Sequence, residues 1–213
     1  MISGRRLFLL LILSELIILT MHFFPAHWSW AVEDRFNLDK EANVPTWFAT
    51  ALLLSVSMTA LIIYIVGRNI RINIPWRSFW LLFSAAYCFL SLDETSRVHE
   101  GIDNVFHIKW IYVYMPFAAL FFVACAYFLI VINKNKNLTY WILGGLIVYA
   151  LGGLLCETIY FYFYSGKAEV VFEEGLEMLG TIMVLTGCVQ ELKRQHKAAY
   201  LQKEIFQQIK PDD

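Results

Sequence analysis

Charge is scarce in this sequence. Asp, Glu, Lys and Arg make up 16% of its 213 residues, where a soluble domain carries about 25%. That is too little polar surface for a soluble fold of this size, and a net charge of −1 offers no basic face to nucleic acid. Cysteine is scarce too. Cys88, Cys125, Cys156 and Cys188 fall in four different apolar runs and form no CxxC pair, which argues against a disulfide framework or a Cys-rich zinc site. They read as small buried hydrophobes. No HExxH, Glu-x-x-His or CxxCH occurs, so the usual zinc-protease, di-metal-bundle and haem-attachment motifs are missing. No repeat is evident, and no Gly/Ser-rich or Pro-rich linker divides the chain.

What is abundant is apolar. Hydrophobic residues reach 59%, aromatics 16%, and the mean hydropathy is +0.56. About 20 apolar residues cross a bilayer core as a helix, and six runs approach that length: 7–24, 46–66, 76–92, 110–132, 138–164 and 170–189. The expected fold is therefore all-α, a polytopic six-transmembrane-helix bundle over residues 1–190, followed by a cytoplasmic amphipathic tail, 191–213. In that tail Leu201, Ile205 and Ile209 repeat every four residues among Lys and Gln, which makes one apolar helical face. Twelve of the 17 Lys and Arg residues fall on the side of the two termini and the even-numbered connections. The positive-inside rule then puts both termini in the cytoplasm of a cell (inner or plasma) membrane. Trp28, Trp30, Trp47, Trp76, Trp110 and Trp141 lie at or near run ends, where indole prefers the headgroup level. The first run follows Arg5-Arg6 and precedes Ser29-Trp30-Ala31, as a signal peptide would, but it is long and interrupted by Glu15; an uncleaved helix is expected.

The acids are the functional signal. Fourteen of the 18 Asp and Glu residues fall on the opposite side or within the spans, and charge in a span is costly and usually kept for a reason. The third run ends in Asp93, Glu94, His99, Glu100 and Asp103. If its helix continues, Asp93, Arg97, Glu100, Asn104 and His107 share one stripe, with His99 and Asp103 in a second beside it. The sixth run opens with Glu169, Glu173, Glu174 and Glu177, three of them spaced by four. Such carboxylates repel one another unless a proton or cation joins them. Glu157 lies in the outer half of the fifth run, with Tyr160 and Tyr164 on its face, and Glu15 lies near the middle of the first, with His22 on its face. Gly144-Gly145, Gly152-Gly153 and Gly180 would let neighbouring helices approach closely.

Carboxylates with imidazole at helical spacing suit Zn, Fe or Mn. The expected site is metal-binding through Asp93, His99, Glu100, Glu173 and Glu177, with Glu94, Glu157 or Glu174 as general base, in a metal-dependent enzyme such as a hydrolase acting on a lipid or other membrane-resident substrate. Two alternatives stay open. One is a proton- or cation-coupled transporter, though no acid besides Glu15 lies in the inner half. The other is a non-catalytic assembly subunit whose acids are solvated helix ends. Partners of matching chemistry are membrane lipids, a second copy of the chain or another membrane protein, not nucleic acid.

Ser91-Leu92-Asp93-Glu94 with His99-Glu100 resembles a segment of the integral-membrane hydrolases related to alkaline ceramidase. That resemblance implies zinc held by a Ser, Asp and His set near early spans. The family's later His-x-x-x-His is absent here, with Glu173-x-x-x-Glu177 in its place, and its seven spans compare with six. The resemblance covers this one short segment and does not establish membership.

Overall fold

A computed structural model of the protein describes residues 4–23, 29–40, 42–133, 135–156 and 167–209. Among them every regular element is helical. Long helices α1 (Gly4–His22), α3 (Val44–Asn69), α4 (Ile74–Ser96), α6 (Trp110–Ala126), α7 (Lys136–Ala150) and α8 (Lys167–Ile209) are joined by short α2 (Trp30–Phe36) and α5 (Val98–Phe106). Helices α6 and α7 each run on into a π-helical turn, Tyr127–Asn133 and Leu151–Cys156. All six apolar runs are thus centred on helices, although 157–164 of the fifth lies outside the described residues. The tail is no separate element: α8 continues without a break through Ile209.

Among the described residues two segments are both long and apolar enough to cross a membrane, Val44–Asn69 and Trp110–Asn133. Helix α1 carries Arg5, Arg6 and Glu15, α4 is diluted by Ser, Trp and Tyr, and α8 opens on acids. Large apolar side chains nevertheless face outward all around the bundle, among them Leu13 at 56% exposed, Leu82 at 67%, Phe117 at 70% and Leu120 at 69%. Helix α6 buries only Cys125 along its α-helical length.

The long helices alternate in direction. Gly4 lies beside Gln190 and Gly175 beside Leu19, so α1 and α8 are antiparallel. Gly145 lies against Gly180, Gly152 against Glu173 and Gly187 against Ile142, which runs α7 antiparallel to α8. One end of the bundle therefore gathers Gly4, Gly67, Trp76 and Gln190 and is rich in Lys and Arg; the other gathers His22, Asp93 and Glu173 and is rich in acids. The core between them packs Val56, Ala60 and Ile63 of α3 and Trp80 and Phe83 of α4 with Met178, Ile182 and Val184 of α8.

Local signals set the boundaries. Asn43 Oδ1 accepts from the Thr46 N–H at 3.2 Å and Pro45 occupies the first turn, a capped entry to α3. Its exit bonds Ile72 N–H to the Gly67 carbonyl at 2.9 Å, with Arg71 at φ 57° where glycine is the usual choice. Two kinds of polar or small contact join the helices. Between α3 and α4, Ser57 Oγ donates to the Ser84 carbonyl at 2.8 Å and Ser84 Oγ to the Ser57 carbonyl at 2.9 Å, while Ser91 Oγ donates to the Thr50 carbonyl at 3.1 Å. Between α7 and α8 the backbones nearly touch: a Cβ at Gly180 would lie 2.5 Å from Tyr149 N and 2.6 Å from the Gly145 carbonyl.

Trp76, expected as an interface anchor, is instead buried at 4% exposed and stacked on Phe79. Cys125 and Cys188 are fully buried and Cys88 is half-buried, all three free thiols.

The two contacts predict different losses. Gly180→Leu should separate α7 from α8 and cost several kcal/mol, of the order known for overpacked cores or more. Ser84→Ala should cost about 1 kcal/mol, one interhelical hydrogen bond. Thermal unfolding of the purified variants checks this, and a Gly180→Leu protein as stable as wild type would contradict the close approach.

Candidate functional site

The acidic end is organised by the terminus of α4. That helix does not continue past Ser96. Arg97 adopts φ 55° and ψ 41°, with its N–H on the Asp93 carbonyl at 2.8 Å, and the chain turns into α5. The continuous stripe expected from Asp93 through Arg97 to His107 is therefore not formed, because a left-handed residue rotates everything after it. The turn brings His99 back onto Asp93. Asp93 Oδ2 pairs with His99 Nδ1 at 3.0 Å, and Oδ1 accepts from the His99 backbone N–H at 2.9 Å and from the Tyr114 hydroxyl of α6 at 3.2 Å. Trp110 packs beside the imidazole, with ring centroids 5.3 Å apart, and against Tyr114 at 5.5 Å.

Asp93 is 8% exposed and lies just beyond the apolar run 76–92. Burial alone would push its carboxyl up; the hydrogen bonds and charge of His99, helped by the Tyr114 hydroxyl, outweigh that and hold it below the ordinary aspartate range. Both Asp93 oxygens are committed to these donors, so Asp93 works as an orienting group, as the carboxylate does in carboxylate–histidine pairs. With Nδ1 on Asp93, proton transfer or coordination by His99 goes through Nε2.

Glu94, the next residue, is turned about 100° around the helix and faces the other way. It belongs to a second group with Glu173, Glu174 and Glu177 of α8. Glu177 is at its centre. Its carboxylate accepts a hydrogen bond from Tyr149 of α7 and lies in the field of Glu174, Glu94 and Glu173. All four acids are half-buried. The room for Glu177 comes from glycine: a Cβ at Gly152 would lie 2.9 Å from Glu177 Cγ, and one at Gly153 would collide with Glu177 Oε1.

The structure thus divides the expected ligand set. Asp93 and His99 meet each other, while Glu173 and Glu177 meet Glu94 and Glu174. Glu100 is on α5 with its side chain outside the described part, and Glu157 lies outside the described residues. Among the described residues no group of three or more His, Cys, Asp and Glu is arranged to hold a metal ion. Sequence reasoning missed Tyr114 and Tyr149. Tyr114 was legible as one helical turn beyond Trp110, whereas Tyr149 carried no signal apart from the glycines around it.

Elsewhere, Glu15 and His22 are buried in α1, and His22 Nδ1 accepts the Leu38 N–H at 3.0 Å. A groove of about 530 Å³ between α1 and α3 is apolar, walled by Leu11, Ile18, Trp47 and Leu52, and none of the acids lines it. A polar cleft of about 440 Å³ beside Asp39, Lys40, Thr95 and Arg97 opens at the acidic end.

An all-helical bundle with a paired Asp–His and a carboxylate group at one end is the class of protein these features define. The chain belongs to the family described as Domain of unknown function (DUF8692), which matches residues 6–192. No curated protein and no solved structure matches it.

The Asp93–His99 pair sets a pH dependence. A carboxyl whose folded pKa is depressed contributes stability that is fully present above the unfolded value, about 3.9 for Asp, and is lost as pH falls through the folded one. Asp93→Asn should therefore destabilise the protein at pH 6–7, and the gap to wild type should close in acid. Melting temperatures of the two proteins across that range check it; a gap that does not change with pH would show that the charge of Asp93 is irrelevant.

Proposed function

We propose that the chain is a six-span integral membrane protein, with both termini cytoplasmic, that performs cation-assisted acid–base chemistry on a lipid or other membrane-resident substrate. The six alternating helices, the apolar side chains facing outward around them and the gathering of Lys and Arg at one end support the membrane reading. The acidic end then faces away from the cytoplasm.

The observation that carries the chemistry is the junction at Asp93 and Glu94. Two neighbouring residues tie an oriented imidazole to a group of carboxylates. Carboxylates this close need protons or a cation among them, and an imidazole fixed by a carboxylate is a general base in waiting. In this reading His99 moves the proton, Asp93 and Tyr114 position it, and the negative charge of Glu94, Glu173 and Glu177, which do not by themselves form a metal-holding group, draws in a divalent cation (Zn, Fe or Mn) that stabilises charge developing on an ester, amide or phosphate. Glu174 is left as a second base. Transport is the weaker reading, because between Glu177 and Glu191 helix α8 buries Met178, Ile182, Val184, Leu185 and Cys188, and the hydroxyls of the two polar residues buried with them, Thr181 and Thr186, bond back to their own helix.

Metal analysis and thermal unfolding of detergent-purified protein test this. About one divalent ion per chain is expected, with a melting temperature that drops on chelation and recovers with Zn, Fe or Mn. Glu177→Gln should lose the ion, whereas His99→Gln should keep most of it and lose turnover. Protein that neither retains nor responds to any of the three metals would end the reading.

A further inference from the structure

The basic end of the bundle holds a second set of polar groups, unconnected with the acidic site. Among the described residues, three of its side-chain N–H groups are buried with no hydrogen-bond partner, Trp76 Nε1, Arg77 Nε and Asn133 Nδ2, and a fourth, Trp80 Nε1, lies one helical turn deeper in the core. Trp76 is 4% exposed and Trp80 0%. Phe79 stacks on Phe128 at 5.1 Å and Phe83 packs on Phe121 at 5.5 Å, so α4 and α6 are antiparallel and Asn133 comes level with Trp76. Gly67 of α3 admits Arg77 from the other side, its Cγ 3.5 Å from where a Cβ would stand. Gln195 reaches the same glycine from α8, 2% exposed and with its Oε1 unpartnered. Donors therefore outnumber acceptors four to one among these unsatisfied groups, and buried donors without acceptors are rare in native proteins.

The charge around them is mostly positive: the buried Glu191, which accepts from Gln195 Nε2 at 3.0 Å, is already paired with Arg194 at 2.7 Å. Arg68, Arg71 and Arg77 fall within ten residues of the α3–α4 connection. The first turn of α4 adds backbone N–H groups that its N-cap residue, Asn73, does not cover with its side chain. Ile74, beside them, is 68% exposed.

We propose that this end of the bundle binds a phosphate group. Its several acceptor oxygens and negative charge answer the surplus of indole, amide and guanidinium donors and the three arginines. The exposed Ile74 and the interfacial position that the membrane reading gives this end favour the headgroup of an anionic phospholipid in the cytoplasmic leaflet as its source; free phosphate shares the chemistry. The phosphate site itself does not depend on the proposed enzyme activity.

Thermal unfolding in detergent, with phosphatidylglycerol, phosphatidylcholine or inorganic phosphate added, tests the site, and native mass spectrometry counts retained lipid. Near-saturating phosphatidylglycerol should raise the melting temperature by roughly 5 °C or more and phosphatidylcholine by much less. Arg77→Gln should at least halve the shift, and Trp76→Phe, which keeps a ring and removes the N–H, should reduce it. An equal shift with inorganic phosphate, sensitive to the same substitutions, would uphold the phosphate site and assign it to free anion. If Arg77→Gln does not fold, the exposed Arg68→Gln and Arg71→Gln carry the same expectation. The proposal is overturned if neither phosphatidylglycerol nor phosphate stabilises more than phosphatidylcholine, or if the shift survives all of these substitutions; water would then satisfy the donors.

Discussion

The backbone of α7 lies directly on that of α8, and the acidic end depends on this contact. Gly145 meets Gly180, and Gly152 meets the Glu173 carbonyl and the Glu177 side chain. Side chains at these positions would hold the helices at the ordinary interaxial distance of about 8–10 Å. Without them, van der Waals contact between backbones replaces side-chain packing, as small residues allow between helices in an apolar solvent. The same approach places the Glu177 carboxylate under the π-helical turn of α7 and within reach of the Tyr149 hydroxyl. The glycine contact thus sets Glu177 close to Glu173, Glu174 and Glu94.

A second constraint acts at the end of α4. Arg97 takes a left-handed conformation that costs a non-glycine residue of the order of 1–2 kcal/mol. The turn it makes returns the chain so that both the backbone N–H and the ring of His99 reach Asp93. Because Asp93 and Glu94 are adjacent on the helix, one side of α4 carries the imidazole and the other meets the carboxylates of α8. The helix terminus is the point at which the two groups communicate.

The ends of the bundle are chemically opposite. At one, acids converge around Glu177; at the other, arginines gather beside buried N–H donors that have no acceptor among the described residues. Between them the helices are stitched by serine hydroxyls and filled with apolar side chains.

Composition and hydropathy alone determined the helical class, since apolar runs of about 20 residues with so little charge have few other folds open to them. They also determined the alternation of Lys/Arg-rich and acidic connections, and singled out Asp93, His99 and Glu177, because isolated charge beside an apolar run stands out against its neighbours. Extrapolating α4 through Arg97 failed, since one residue at positive φ carries little signal unless it is glycine. Tertiary structure alone decided that Asp93 and Glu94 serve different groups, that Tyr114 and Tyr149 complete them, and that Trp76 is buried rather than interfacial. Those are questions of which helix lies against which face, and periodicity along one helix does not encode the rotation and depth of its neighbour.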